Sequence, residues 1–158
     1  MRHLATLGLG AVLVVWACSD SPTEGGEGPV AFETVLKTNL SRSEEARLFP
    51  ILDAAAWASA WAEIRAAAPP LPQVDFSTGM LLLAGGTFRS QACGREEIDV
   101  RSVVARGGRL EVEVRETAPG ENCVCLQVLT AGPVHVVRLA RRVDPVDLRY
   151  RLVRQDCE

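Results

Sequence analysis

The chain is short of the parts from which catalytic sites are usually built. Beyond its first 17 residues it has one histidine, His135, and its only lysine is Lys37. No HExxH, G-x-S-x-G, P-loop or G-x-G-x-x-G pattern occurs. The common signatures of zinc peptidases, serine hydrolases, phosphate loops and dinucleotide sites are therefore missing. A Ser/His/Asp or Cys/His arrangement would have to be built on His135, inside GPVHVV. A histidine in such a strand is more often structural or simply exposed. Gly107-Gly108 is hairpin chemistry rather than a phosphate cradle. The net charge of −3 is no nucleic-acid signature. There is no internal repeat. The one long apolar run, residues 4–17, is too short to span a bilayer comfortably.

That run instead has the form of an export signal. Arg2 and His3 precede it, Ala17 closes it, and Cys18 follows. Val15-Trp16-Ala17-Cys18 resembles a bacterial lipobox, although Trp16 is unusual at the second position. The resemblance implies that residues 1–17 are cleaved and that Cys18 is lipidated. The plain alternative is a secretory signal with a chance cysteine. Residues 19–28, SDSPTEGGEG, are polar, Gly-rich and acidic, and cannot bury enough apolar surface to fold. Residues 18–30 are thus read as the lipidated cysteine and a flexible tether. Residues 31–158 are read as one domain, of ordinary size for a single core.

Four cysteines remain once Cys18 is assigned to lipid: Cys93, Cys123, Cys125 and Cys157. An even number in an exported chain predicts two disulfides. Cys123 and Cys125 stand two apart in a strand-like segment, so their side chains point the same way and suit a direct bond poorly. Cys93 is expected to pair with one of them and Cys157 with the other. The preferred pairing is Cys93–Cys123 and Cys125–Cys157. A four-thiolate metal site is the competing reading. C-x-C is tighter than the usual zinc spacing, and an oxidising compartment favours disulfides. No metal and no cofactor are expected.

The remaining pattern predicts α+β architecture: a mostly antiparallel sheet or sandwich with one amphipathic helix packed on it. Residues 30–38 read as an opening strand. Residues 46–52 read as a second strand, confined by Pro50 to an edge or an irregular segment. Asp53 looks like an N-cap for AAAWASAWAEIRAAA, in which Trp57, Trp61 and Ile64 share one face. Pro69 and Pro70 stop that helix. The tryptophans are expected to pack on the sheet rather than to form a ligand platform. GMLLLAGG suits a strand buried on both faces. Residues 97–105 and 109–116 form a hairpin around Gly107-Gly108, with one buried face and one wet face. Further strands are expected at residues 123–129 and 134–139. The last strand alternates Val146, Leu148, Tyr150 and Leu152 with Asp147, Arg149 and Arg151. Six arginines between residues 138 and 154 suggest either a basic face for an acidic partner or ordinary solvated strand faces.

The order of these features is that of a known family. An early strand leads to SRSEEARLFPI, then to a W-x3-W helix and to Val74-Asp75-Phe76-Ser77. Met80-Leu81-Leu82-Leu83, Gly86, Phe88-Arg89-Ser90, a V-x-V-x-E strand, Pro119-Gly120 and a Thr-x-x-Pro-x-x-x-Val segment at residues 130–137 follow. Across roughly residues 32–153 the chain resembles the PrcB C-terminal-like domain, named for a lipoprotein subunit of a surface protease complex. The resemblance implies an exported accessory or binding domain that associates with or stabilises another protein, such as a protease. It implies no active site. It makes Asp75, Phe76, Arg89 and Ser90 candidates for partner binding or for a structural role. By its own chemistry Asp75 is better explained as a cap or turn into the next strand. Where the family commonly carries a Gly-Gly-Tyr-like loop, this chain has Ser90-Gln91-Ala92-Cys93-Gly94. A partner-binding role for that loop does not carry over, and a disulfide could stand in its place. The expected protein is a non-catalytic lipoprotein of the bacterial cell envelope, held to a membrane by its lipid and bound to a protein partner. The alternative is a small envelope hydrolase with an unrecognised site.

Overall fold

The computed structural model describes residues 26–41, 46–64, 70–86, 91–92, 97–127 and 132–157. In chain order the strands are β1 (Gly28–Pro29), β2 (Phe32–Ser41) and β3 (Arg47–Ile51), followed by helix α1 (Ala54–Glu63). Then come β4 (Gly79–Gly85), β5 (Gln91–Ala92), β6 (Glu97–Arg106), β7 (Arg109–Pro119), β8 (Leu126–Gln127), β9 (Gly132–Ala140) and β10 (Val146–Gln155). They form one sheet in the order β1-β6-β7-β10, a second in the order β2-β9-β4-β3, and the small pair β5-β8. The expected α+β fold, largely antiparallel with one packed helix, is the fold observed. Pairing starts at Gly28, inside the segment read from composition as tether.

The second sheet is the middle of three layers. GMLLLAG carries no polar side chain, and β4 is buried along its whole length. Its Met80, Leu82 and Ala84 face the first sheet, where Ile98, Val100, Val103, Leu110, Val112 and Val114 meet them. Leu81 and Leu83 face the other way and, with Val134 and Val136 of β9, receive the helix. A strand covered on both sides needs an unbroken apolar run, because neither set of alternate positions reaches water. Pro50 lies exposed on β3, at the sheet edge, where its missing N–H leaves no gap in the ladder.

Helix α1 starts where Asp53 accepts a hydrogen bond from the Ala56 amide at 2.8 Å. Its alanines let it lie close to the sheet. Trp57 is buried, and its indole N–H donates to the Pro72 carbonyl at 3.0 Å. Trp61 is only half-buried and meets the Trp57 ring edge-on at 5.2 Å. Ile64, just past the helix, is buried in the same cluster. The rest of the expected helical stretch, residues 65–69, lies outside the described residues.

Two expectations are corrected, and one strand direction is added to the expected fold. The last strand runs parallel to β7, from Val146 beside Leu110 to Gln155 beside Pro119. The chain leaves β7, crosses into the second sheet as β9, and returns to the end where β7 began. Next, the strand expected at residues 123–129 is described as strand only at Leu126–Gln127; Cys123 and Cys125 lie in irregular chain. The alternation used to orient the two thiols therefore does not apply. Last, Cys123 is bonded to Cys157, not to Cys93, and so Cys125 is not bonded to Cys157. Cys125 is disulfide-bonded, with its partner outside the described residues. Cys93 itself also lies outside them.

The inner face of β7 carries one ionisable group. Leu110, Val112, Val114, Glu116 and Ala118 alternate inward, and Glu116 is fully buried. The Tyr150 hydroxyl donates to its carboxylate. Gly86 packs against the same group, with its amide bonded to the Pro133 carbonyl at 2.7 Å. A Cβ on Gly86 would stand 2.6 Å from Pro133 Cγ and 2.8 Å from Glu116 Oε2. Neither neighbour is the free end of a flexible exposed chain. Gly86→Ala is expected to lower stability by about 1–3 kcal/mol through overpacking. Urea denaturation measures this, and an unchanged midpoint would show that the β4 end has room to shift.

Candidate functional site: an open edge strand

Strand β10 is ten residues long and forms one edge of its sheet. The Leu110 amide bonds to the Pro145 carbonyl, and the Gly120 amide to the Gln155 carbonyl. In a parallel ladder the odd-numbered residues of β10 thus turn their amides and carbonyls toward β7. The backbone groups of Leu148, Tyr150 and Leu152 point the other way. Among the described residues, no strand pairs with them.

The side chains of those three residues belong to the inner face, beside Val112, Val114 and Glu116. Their β7 neighbours are buried, yet Leu148, Tyr150 and Leu152 remain 40%, 36% and 42% exposed. The other sheet ends at β3. Single exposed apolar residues are common on any protein. A row of three along a strand that, among the described residues, has a neighbour strand on one side is less so. Folded proteins usually blunt long edges with proline, bulges or charge. Here only charge is present, as Arg149 and Arg151 on the outer face and Arg154 at the end of the inner row.

Most of the arginine-rich C-terminal stretch is occupied by the fold. Arg138 pairs with Glu33 at 3.2 Å. Arg141 donates to the carbonyls of Leu52 and Phe76. Arg142 pairs with Asp144 at 2.6 Å, and Arg149 with Glu111 at 2.9 Å. Arg151 differs. Its neighbour on β7 is Arg115, and beyond that lies Asp99 on β6. Asp99 is already held by Lys37 at 2.7 Å. Burial alone would lower the pKa of the Lys37 ammonium, but hydrogen bonds to Asp99 and Glu97 outweigh it and the net shift is upward. Arg115 and Arg151 are thus like-charged cross-strand neighbours, with no ion-pair partner among the described residues. Such pairs are destabilising.

The residues singled out from sequence fall elsewhere. Asp75 turns the chain into β4. Its carboxylate accepts from the Ser77 amide at 2.9 Å, the Ser77 hydroxyl at 2.6 Å and the Thr78 hydroxyl at 3.0 Å. These bonds, the Ser77 hydroxyl first, hold its pKa below the usual carboxylate value. Phe76 is half-buried against the helix-side cluster. Arg89, Ser90 and Cys18 lie outside the described residues. An open groove of about 350 Å³ runs beside Phe32, Glu33, Thr78, Gly79 and Arg138. The polar groups there are spent on the Arg138–Glu33 pair. Among the described residues, no group of three or more His, Cys, Asp or Glu converges as a metal site would.

His135 joins the two sheets. It sits buried on β9, and its Nδ1 accepts the Val100 amide of β6 at 3.0 Å. That fixes the proton on Nε2, which donates to Thr34 Oγ1 at 2.9 Å. The Val100 amide is available because β6 bulges between Val100 and Ser102. Burial, chiefly, holds the imidazole pKa below its ordinary 6.5; Lys37 adds to this, while Asp99 and Glu97 oppose it. The unfolded chain therefore takes up the proton first as pH falls. This group's contribution is complete above about 6.5 and is lost as pH drops from there through the folded-state value. We expect denaturant stability to decline over that window, and His135→Gln to flatten the decline. An equal slope in the variant would assign the effect to other groups.

Comparison with protein-family models, with curated proteins and with solved structures returned no match for this chain.

The alternation of residues 146–152 located β10 but not its partial exposure. An apolar row reads as buried whenever a sheet covers it. Whether one does depends on where the opposite sheet ends, and no local pattern carries that.

Proposed function

We propose that this protein is an exported bacterial lipoprotein whose folded domain is a non-catalytic docking module for a protein partner in the cell envelope. Lipid on Cys18 holds it at the membrane, and the acidic, Gly-rich segment after it gives the domain reach. The observation that carries the docking role is the partly exposed apolar row Leu148-Tyr150-Leu152 on β10, a strand that among the described residues pairs with β7 alone. Contiguous exposed apolar surface of this kind marks interaction sites. The resemblance to the PrcB C-terminal-like domain points to the same class of role, with a protease complex as one candidate partner. His135 and Asp75 are both engaged in structural hydrogen bonds, which weighs against a hydrolase built on either.

Two measurements test the reading. Cys18→Ser should move the protein from the detergent phase to the aqueous phase while its thermal melt stays unchanged. A variant that still partitions into detergent removes the lipid anchor. Photo-crosslinking residues placed singly over the domain surface, in intact envelopes, should yield one discrete protein adduct. Absence of an adduct from every face removes the docking role.

A further inference from the structure

We infer that Val124 is the anchor of the docking surface: its isopropyl group enters an aliphatic pocket of the partner protein, and a basic side chain at the pocket rim meets Glu121. This inference rests on the docking role proposed above and names the residue and the pocket that serve it. Val124 is 99% exposed, so no part of the fold packs on its side chain. Exposure alone would mean little for one apolar residue. The backbone around it sets it apart. Cys123 is bonded to Cys157, and Cys125 is disulfide-bonded as well. Just before them, the Cys123 amide bonds to the Gly120 carbonyl at 3.3 Å, and Asn122 exchanges hydrogen bonds with the Cys157 backbone. A valine held between two disulfide-bonded residues and surrounded by water gives nothing to the core. Its order is nevertheless in place before any partner arrives. A β-branched side chain on a braced backbone has little freedom left to lose when a pocket closes on it.

A lipid surface fits this tip less well. The chain enters the domain at the hairpin end, where Glu27 accepts the Gly107 amide at 2.9 Å and Gly28 pairs with Ala105. Val124 lies past the opposite end of β7, a strand of 11 residues and therefore roughly 35 Å long. The stretch from Cys18 to Gly26 reaches at most about 29 Å when fully extended. A pose with the tip turned down into the membrane that holds Cys18 is out of reach. Glu121 is exposed and has no ion pair among the described residues, so it would also meet anionic headgroups unfavourably. Two copies meeting tip to tip by a two-fold axis would bring their Glu121 carboxylates together. A separate protein with an aliphatic pocket and a basic rim suits both side chains.

A small aliphatic residue bearing a diazirine, placed at position 124 of the full-length protein in envelope fragments, tests this. It should give one discrete protein adduct on irradiation. The same residue at position 143, where Val143 is 85% exposed near the hairpin end, should not give that adduct. Added Cys18→Ser protein should compete for the adduct. With Val124→Ala or Val124→Thr in that competitor, half-competition should need about tenfold more protein, a difference of about 1.4 kcal/mol. Threonine keeps the shape of valine and adds only a hydroxyl, so it isolates the apolar character of the pocket. Glu121→Lys should weaken competition several-fold, and Val143→Asp should leave it unchanged. All four competitors should melt as the parent does, because none of these side chains supports the core.

A threonine competitor as effective as valine would overturn the inference, as would a lowered melt for the position 124 variants. An adduct with lipid would make the occupant the membrane, and an adduct of twice the chain mass would make it a second copy; either discards the pocket. These failures differ from failure of the docking role itself. A discrete protein adduct from another face, with none from position 124, would keep the role and discard this anchor. No adduct from any face would remove both.

Discussion

Trp57→Ala is expected to lower unfolding free energy by roughly 3–5 kcal/mol, the cost of deleting a large buried aromatic side chain. The domain as a whole is expected to have only about 5–15 kcal/mol. Trp57 is 1% exposed and packs beside Ile51, Leu81, Leu83 and Val136, between the helix and the middle sheet. Its indole N–H also ties α1 to the Pro72 carbonyl, so truncation frees a carbonyl as well as opening a cavity. Trp61 is the internal control. It is half-buried at the rim of the same cluster and touches Trp57 edge-on. Trp61→Ala should cost clearly less, through lost area and the lost ring pair. Thermal melts of the two variants measure the difference. Equal losses would mean that α1 sits deeper than described. An unchanged melt for Trp57→Ala would move the helix from the core to the surface.

The parts of the fold legible in the sequence are those decided within a few residues. Asp53 caps the helix because its carboxylate reaches an amide three residues on, and that geometry needs no distant partner. Gly107 and Gly108 both adopt positive φ, 58° and 69°, as a two-residue hairpin turn demands. The apolar run of β4 is uninterrupted because both its faces are covered. What was not legible depends on chain path. The parallel direction of β10 follows from the excursion through β9, which leaves no mark on residues 146–155. The Cys123–Cys157 bond depends on that direction, since it brings the chain end beside the loop that leaves β7. The sequence around His135 is that of a strand and shows no partner for the imidazole. Its role in joining the sheets needs the β6 bulge across from it, 35 residues earlier in the chain. Of the candidate site, the alternation and the arginines of β10 were visible. The partial exposure of Leu148, Tyr150 and Leu152 was not, because what packs over a strand is decided elsewhere in the chain.

Replacing Cys123 and Cys157 together by serine is expected to cost roughly 3–4 kcal/mol, from the chain entropy of a loop with this separation. The two cysteines are 34 residues apart, so the bond restricts a long stretch of unfolded chain. In the folded state it closes the C-terminal end of a strand that, among the described residues, pairs with β7 alone. Other contacts reinforce that closure. Asn122 exchanges two hydrogen bonds with the Cys157 backbone, at 2.9 and 3.0 Å, and the Gly120 amide bonds to the Gln155 carbonyl at 2.7 Å. Two outcomes are distinguishable. If β10 unfolds together with the rest, the double variant melts lower and amide exchange rises throughout. If β10 detaches first, the melt barely moves and exchange rises only in residues 146–155. The first is expected, because Tyr150 on β10 donates to Glu116 in the core. Pulling the strand away removes that donor from a buried carboxylate, a cost that couples the edge to the interior. The bond therefore holds the proposed docking edge in place.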